Sequence, residues 1–199
     1  ITAANSNQRT GEQVFASTRF GNVIGSRGSV FLIFKNQIRQ GKAVTLTDEN
    51  MTRFIMSIRE AVQLVIDSAA LAMGGEVFIT KMPVVKIKDL AEVMIEELAP
   101  VYGHNPADIK VETISVKPGE KMYEELMNEE EIRRSWELER YFSVLPAFSS
   151  PYRSIKYQYP EFKSDRVKKV YNSKNQAPLG KKELREFLIG SKLLENDDL

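Results

Sequence analysis

Four short stretches hold the residues whose types and spacing could do chemistry. The first is Gly21-Asn-Val-Ile-Gly-Ser-Arg-Gly28. Glycines let backbone approach a ligand, and Ser29 behind them can cap a helix whose first amides attract phosphate. Asp48 lies about 20 residues further on, where a dinucleotide fingerprint has its ribose-binding acid. The glycine spacing is Gly-x3-Gly-x2-Gly rather than Gly-x-Gly-x2-Gly, and an ordinary glycine loop at a helix start is the alternative. The second is Arg53, just after the acidic Asp48-Glu49. It is either a surface ion pair worth little or a two-pronged phosphate ligand. The third is Lys117 and Glu120 around Pro118-Gly119. An ammonium suits a diphosphate and a carboxylate suits vicinal ribose hydroxyls; a solvated turn with acids at a helix start is the plain alternative. The fourth is Tyr152-Arg-Ser-Ile-Lys156, a Tyr-x3-Lys spacing that works for hydride chemistry when both side chains share a helix face. Pro151 and Pro160 flank it, so no catalytic pair is expected there. His104 is the only histidine and has no neighbouring ligand cluster, so no metal site is expected.

Periodic segments must position these residues. Gln13 to Phe20 reads as a strand, Val30 to Ile38 as a helix ending before Gly41, and Val44 to Thr47 and Arg53 to Met56 as strands. Ser57-Ile-Arg-Glu60 fits a capping box. The helix it opens places Ala61, Val62, Val65 and Ala69 on one face and stops at Gly74-Gly75. Glu76 to Thr80 is an apolar strand. Ile87, Leu90, Ala91, Met94, Leu98 and Val101 repeat at helical spacing, and Lys110 to Val116 alternates like a strand. The Pro118-Gly119 turn is expected to lead into a helix. Lys181 to Leu194 is a terminal amphipathic helix with Leu184, Phe187 and Leu188 on its apolar side, and the acidic end of the chain is expected to fray. Strands alternating with helices indicate an α/β protein with a partly parallel sheet.

Bulk properties narrow the classes. The 199 residues are 42% hydrophobic and 28% charged, with a formal net charge of +1. Such a balance offers no long-range field to gather nucleic acid or an anionic membrane. The absence of cysteine excludes a disulfide framework and thiolate metal sites. No apolar run reaches the roughly 18 residues of a bilayer span. The expected setting is cytoplasmic, without nucleic-acid or membrane partners.

Five segments, in order and spacing, resemble one family. They are Thr18-Arg-Phe-Gly-Asn-Val-Ile-Gly-Ser-Arg-Gly-Ser-Val30, Thr47-Asp-Glu-Asn-Met-Thr-Arg-Phe54, Gly74-Gly-Glu-Val-Phe-Ile-Thr-Lys-Met-Pro83, Lys86-Ile-Lys-Asp-Leu-Ala91 and Lys117-Pro-Gly-Glu-Lys-Met-Tyr-Glu-Glu125. The chain is similar here to the inverting UDP-N-acetylglucosamine 4,6-dehydratases and their polysaccharide-biosynthesis relatives, which are extended short-chain dehydrogenases/reductases. The similarity covers roughly residues 1–148. It implies an incomplete Rossmann-type sheet with a smaller carboxy-terminal substrate-binding lobe. Residues 1–75 would be the end of the dinucleotide-binding domain with interleaved substrate-lobe segments. Residues 76–148 would be the substrate-binding lobe and return strand, and residues 149–199 a carboxy-terminal extension.

The resemblance also implies roles. Val23, Ile24, Gly25, Ser26 and Arg27 match a loop that closes over the nicotinamide end of NADP. Asn22, Arg53, Lys117 and Glu120 match substrate positions on a UDP-sugar, with Arg53 on the diphosphate. The family usually has arginine where this chain has Lys117; lysine keeps the charge and loses the planar fork. The family's fingerprint, its Tyr-x3-Lys pair and its acid/base residues fall upstream of Ile1, so the isolated chain is expected to hold no catalytic residue and to be inactive. In the family reaction, C4 of the sugar is oxidised, water is eliminated across C5 and C6, and hydride returns to C6 with inversion at C5. The full-length protein is expected to be a homo-oligomer. The alternatives are a non-catalytic nucleotide-sugar-binding or assembly module and a related epimerase.

Overall fold

Among the described residues, short β-branched and aromatic runs give twelve strands, and the longer apolar-periodic runs give four α-helices. The computed structural model describes residues 13–115, 118–148 and 154–194. In chain order the described elements begin with β1 (Ser17–Arg19), β2 (Asn22–Val23), α1 (Val30–Arg39), β3 (Val44–Leu46), β4 (Thr52–Met56) and α2 (Ile58–Leu71). Then come β5 (Val77–Thr80), β6 (Val84–Lys86), α3 (Ile87–Val101), β7 (Val111–Thr113) and β8 (Glu125–Met127). The last are β9 (Ser135–Leu138), β10 (Tyr141–Val144), β11 (Phe162–Ser164), β12 (Tyr171–Asn172) and α4 (Lys181–Gly190).

The chain divides into two units that share it in alternation. The first takes the chain up to Phe20, then Arg59–Lys81 and Glu125–Asn172; the second takes Gly21–Ile58, Met82–Glu124 and the chain from Ser173. Each unit is therefore assembled from segments far apart in sequence.

The first unit is built on a sheet of order β1-β5-β10-β9-β11. β1 runs parallel to β5, and the other pairings are antiparallel. Leu64 of α2 packs with Phe78, Leu138, Tyr141 and Tyr159. A buried carboxylate, Glu76, closes the turn before β5: it accepts from the amides of Met73 and Gly74 (both 2.6 Å) and from the Tyr159 hydroxyl at 3.2 Å. Burial, together with this carboxylate, pushes the Tyr159 phenol well above its ordinary value.

The expected face of α2 is corrected here. Leu64 and Ser68 are the buried positions, whereas Val62 and Val65 are each 52% exposed and Ala69 is exposed. The helix is turned by polar anchors as much as by Leu64: Asp67 accepts from the Tyr141 hydroxyl and pairs with Arg140 at 2.9 Å.

The second unit holds the larger core, where α1, α3 and α4 pack around Phe34, Ile38, Met94, Leu98, Leu184 and Leu188. β2, β4 and β6 form one small sheet and β3 with β7 another. In α4 the Glu183 side chain reaches back to the Gly180 amide at 2.9 Å, and Leu184 and Leu188 face inward as their spacing predicts. Val101, expected on the apolar face of α3, is 67% exposed at its last turn.

One expected element is replaced. After the Pro118-Gly119 turn the chain does not enter a helix but runs through an irregular segment into β8. The reason is hydrogen bonding to other segments: the Met122 carbonyl accepts from the Thr52 amide at 3.1 Å, the Glu124 carbonyl accepts from the Ser173 amide at 2.8 Å, and the Glu124 amide donates to the Ser173 hydroxyl at 2.9 Å.

Candidate functional site

β2 and β4 run parallel with Asn22 opposite Ile55. Side chains alternate along a strand, so Arg53 and Ile55 share one face of β4 while Phe54 is buried on the other. That face, the loop after β2, the start of α1 and residues 45–47 enclose a cavity of about 420 Å³, the size of a small-ligand site. Ile24, Phe31, Ile55 and Leu90 give it an apolar interior. Asn22, Ser29, Thr47, Arg53 and Glu120 bring polar groups to its wall.

The loop works through two left-handed glycines, Gly25 at φ 81° and Gly28 at φ 76°, a conformation that side chains disfavour. Val23, Ile24, Ser26 and Arg27 line the cavity, and Gly25 supports the turn against Leu193. Ser29 stands at the N-cap of α1 with extended backbone, but its hydroxyl makes no cap bond. Among the described residues its Oγ is buried without a hydrogen-bond partner, an arrangement that leaves a donor for whatever occupies the cavity.

Arg53 donates to the Thr52 carbonyl at 2.8 Å and to the Lys121 carbonyl at 2.5 Å. Burial lowers its pKa from the ordinary arginine value, while the nearby Glu124 and Glu120 pull the other way. The guanidinium stays charged in any case, so the cavity wall carries a partly desolvated cation with donors to spare. Glu120 accepts from the Thr47 hydroxyl at 2.9 Å.

Asn22, Arg53 and Glu120 thus meet at one cavity together with the loop after β2. Lys117 lies outside the described residues. β1 pairs with β5 and β7 pairs with β3, so neither strand sets Asn22 beside Arg53. The β2–β4 pairing brings Asn22 and Arg53 together instead. Asp48 accepts from the Asn50 amide at 2.7 Å and so serves the turn before β4. Tyr152 is outside the described residues, and Lys156 is exposed in a non-helical segment. The His104 ring contacts the Arg39 carbonyl, and no group of metal-ligating side chains occurs among the described residues.

Sequence reasoning passed over Glu124 and Thr47. Both lie within segments that carry the family resemblance, Thr47 at the start of the one that holds Arg53 and Glu124 near the end of the one that holds Glu120. Glu124 accepts from the Phe54 amide at 3.1 Å and from the Asn22 side chain. Burial raises its pKa above the ordinary carboxylate value, although Phe54, Arg53, Asn22 and Lys121 oppose the shift.

Strands and helices in alternation, with a ligand-sized cavity beside a parallel strand pair, define an α/β chain. The family model described as polysaccharide biosynthesis protein matches residues 1–146, and the chain belongs to that family. The solved structure of Pen from Bacillus thuringiensis superposes with a TM-score of 0.84 at 41% identity, over 97% of this chain and 54% of that one. An uncharacterized membrane protein of Methanocaldococcus jannaschii is 50% identical over 174 residues, 87% of this chain and 49% of the relative. The UDP-glucose 4-epimerase of Rickettsia typhi is 35% identical over 179 residues, 90% of this chain and 50% of the relative. The chain therefore spans about half the length of these curated relatives. No helix among the described residues is long and apolar enough to cross a membrane.

Proposed function

We propose that the cavity holds the nucleoside diphosphate of a UDP-sugar, and that the chain is part of a nucleotide-sugar 4,6-dehydratase acting on UDP-N-acetylglucosamine with NADP. The observation that carries the reading is the convergence of Asn22, Arg53 and Glu120 on one cavity with an apolar interior. Apolar walls suit a base, the partly buried Arg53 suits a diphosphate, and Glu120, steadied by Thr47, suits vicinal hydroxyls. Lys117 is assigned to the same ligand as a second cation.

Val23, Ile24, Ser26 and Arg27 could form one edge of an NADP site, and the buried Ser29 hydroxyl fits a polar ligand group there. No Gly-x-Gly-x2-Gly cradle for the pyrophosphate occurs in the 199 residues. When bound, the nicotinamide takes up and returns hydride. What these residues do is bind, orient and exclude water.

A second reading has its own support in the Rickettsia typhi relative, whose name is UDP-glucose 4-epimerase. An epimerase and a dehydratase share the UDP and nicotinamide requirements. Product analysis of the full-length protein, 4-keto sugar against 4-epimer, separates them.

The binding claim is tested by calorimetric titration of UDP and of uridine into the chain and into Arg53→Ala. One charged hydrogen bond is worth roughly 1.5–3 kcal/mol, so UDP affinity should drop about tenfold to a hundredfold with uridine affinity held. Equal losses for both ligands, or no loss for either, would remove Arg53 from the diphosphate.

A further inference from the structure

We propose that Glu124 is a positioning residue for the polar wall of this cavity: its carboxylate holds the Asn22 side chain and, beside Arg53, fixes the direction in which that guanidinium meets an anion. The proposal rests on the nucleotide reading of the cavity for its ligand, and on geometry alone for the contacts. Glu124 itself does not line the cavity. It stands behind the two residues that do.

Glu124 is held at both its backbone and its carboxylate. Its backbone amide donates to the Ser173 hydroxyl at 2.9 Å, and its carbonyl accepts from the Ser173 amide at 2.8 Å. Ser173 is fully buried and also donates to the Thr52 carbonyl at 3.1 Å, one residue before Arg53. From this clamp the side chain reaches the Phe54 amide, one residue after Arg53, at 3.1 Å, and the Asn22 side chain. Glu124 therefore brackets Arg53 within β4 and ties it to β2. A Cβ on Gly21 would lie 3.3 Å from its Oε2 and 2.5 Å from the Phe54 Cβ, so the glycine beside Asn22 makes the approach possible.

The arrangement has a stability side. Desolvation outweighs the favourable contacts at Glu124, so the folded protein disfavours its charged form. The sign follows from linkage: with the folded value raised, stability is fully present below the unfolded value and declines as pH rises through the folded one. Arg53 from β4 and Lys121 from its own segment are the charged groups that act on it.

The test compares the chain with Glu124→Gln, which keeps an acceptor for the Phe54 amide and removes the charge. Three measurements are made: thermal midpoint at neutral pH, UDP affinity by calorimetry, and the pH titration of the Asn22 side-chain amide by nitrogen-15 NMR. The expected results are an unchanged or higher midpoint and a UDP affinity about tenfold weaker. The Asn22 amide should titrate above the ordinary carboxylate range in the parent and stay flat in the variant. A lowered midpoint that accompanies the affinity loss would make Glu124 structural and overturn the proposal. So would unchanged UDP affinity, or an Asn22 titration that survives the substitution. UDP binding to neither protein overturns the nucleotide reading instead, and the Asn22 titration then decides alone whether Glu124 holds Asn22.

Discussion

Replacing Glu131 by glutamine should cut a two-pronged ion pair that ties the end of β1 to the segment after β8. Arg19 donates through Nη1 to Oε2 and through Nη2 to Oε1 of Glu131, both at 2.9 Å, and Nη1 also reaches the Leu126 carbonyl at 2.7 Å. Glu131 accepts a further bond from the Asn128 amide at 3.1 Å. Burial works against the Glu131 charge, yet Arg19 and the Asn128 amide hold its pKa below the ordinary glutamate value. Breaking a fully buried pair costs roughly 3–5 kcal/mol, and an exposed pair is worth about 1 kcal/mol or less. The Glu131 side chain is 11% exposed and that of Arg19 37%, so about 2 kcal/mol is the figure after solvent screening. For a chain of this size that lowers the midpoint by roughly 4–8 °C. The assay is thermal unfolding by circular dichroism for the parent, Glu131→Gln, Arg19→Ala and the double variant. The coupling energy of the cycle should be about 1 kcal/mol or more. The pH dependence has a fixed sign. A depressed folded value gives stability that is present above the unfolded value and lost as pH falls through the folded one. The gap between parent and Glu131→Gln should therefore be constant above about pH 5 and close on acidification. Additive single effects, or a gap that widens in acid, would refute the reasoning.

Gly21→Ala should destabilise the chain by about 1–3 kcal/mol, as overpacking does, because the added Cβ would sit 2.5 Å from the buried Phe54 Cβ; urea titration measures it, and an unchanged midpoint concentration would mean that β2 and β4 can part at no expense. The outer face of α2 carries Ile58, Val62, Val65 and Ile66, each 52% to 58% exposed, and contiguous apolar surface of this kind promotes association. Sedimentation velocity should show the chain self-associating with concentration, and a Val62→Lys, Val65→Glu double variant should be more monomeric. A parent that is monomeric at every concentration would count against this.

Local periodicity made the helices legible. α1, α3 and α4 begin where the apolar spacing places them, since a 3.6-residue repeat is written in neighbouring side chains. The strands β3 and β4 were readable for the same local reason, and residue chemistry together with the family resemblance brought Asn22, Arg53 and Glu120 forward as ligand candidates. What sequence could not supply was partnership. The apolar stripe of α2 reads as a core face, but the side chains that dock on the sheet are Leu64 and Ser68, because Asp67 is drawn to Tyr141 and Arg140. Residues after Gly119 read as a helix start, but their backbone groups bond to Thr52 and Ser173, both more than 45 residues away in sequence. Glu124 is one more acid in an acidic run until β2, β4 and Ser173 close around it. Whether a polar side chain is solvated or becomes the support of a cavity wall depends on segments that meet only in the folded chain, because hydrogen bonds and desolvation act over a few ångströms of space and take no account of distance along the sequence.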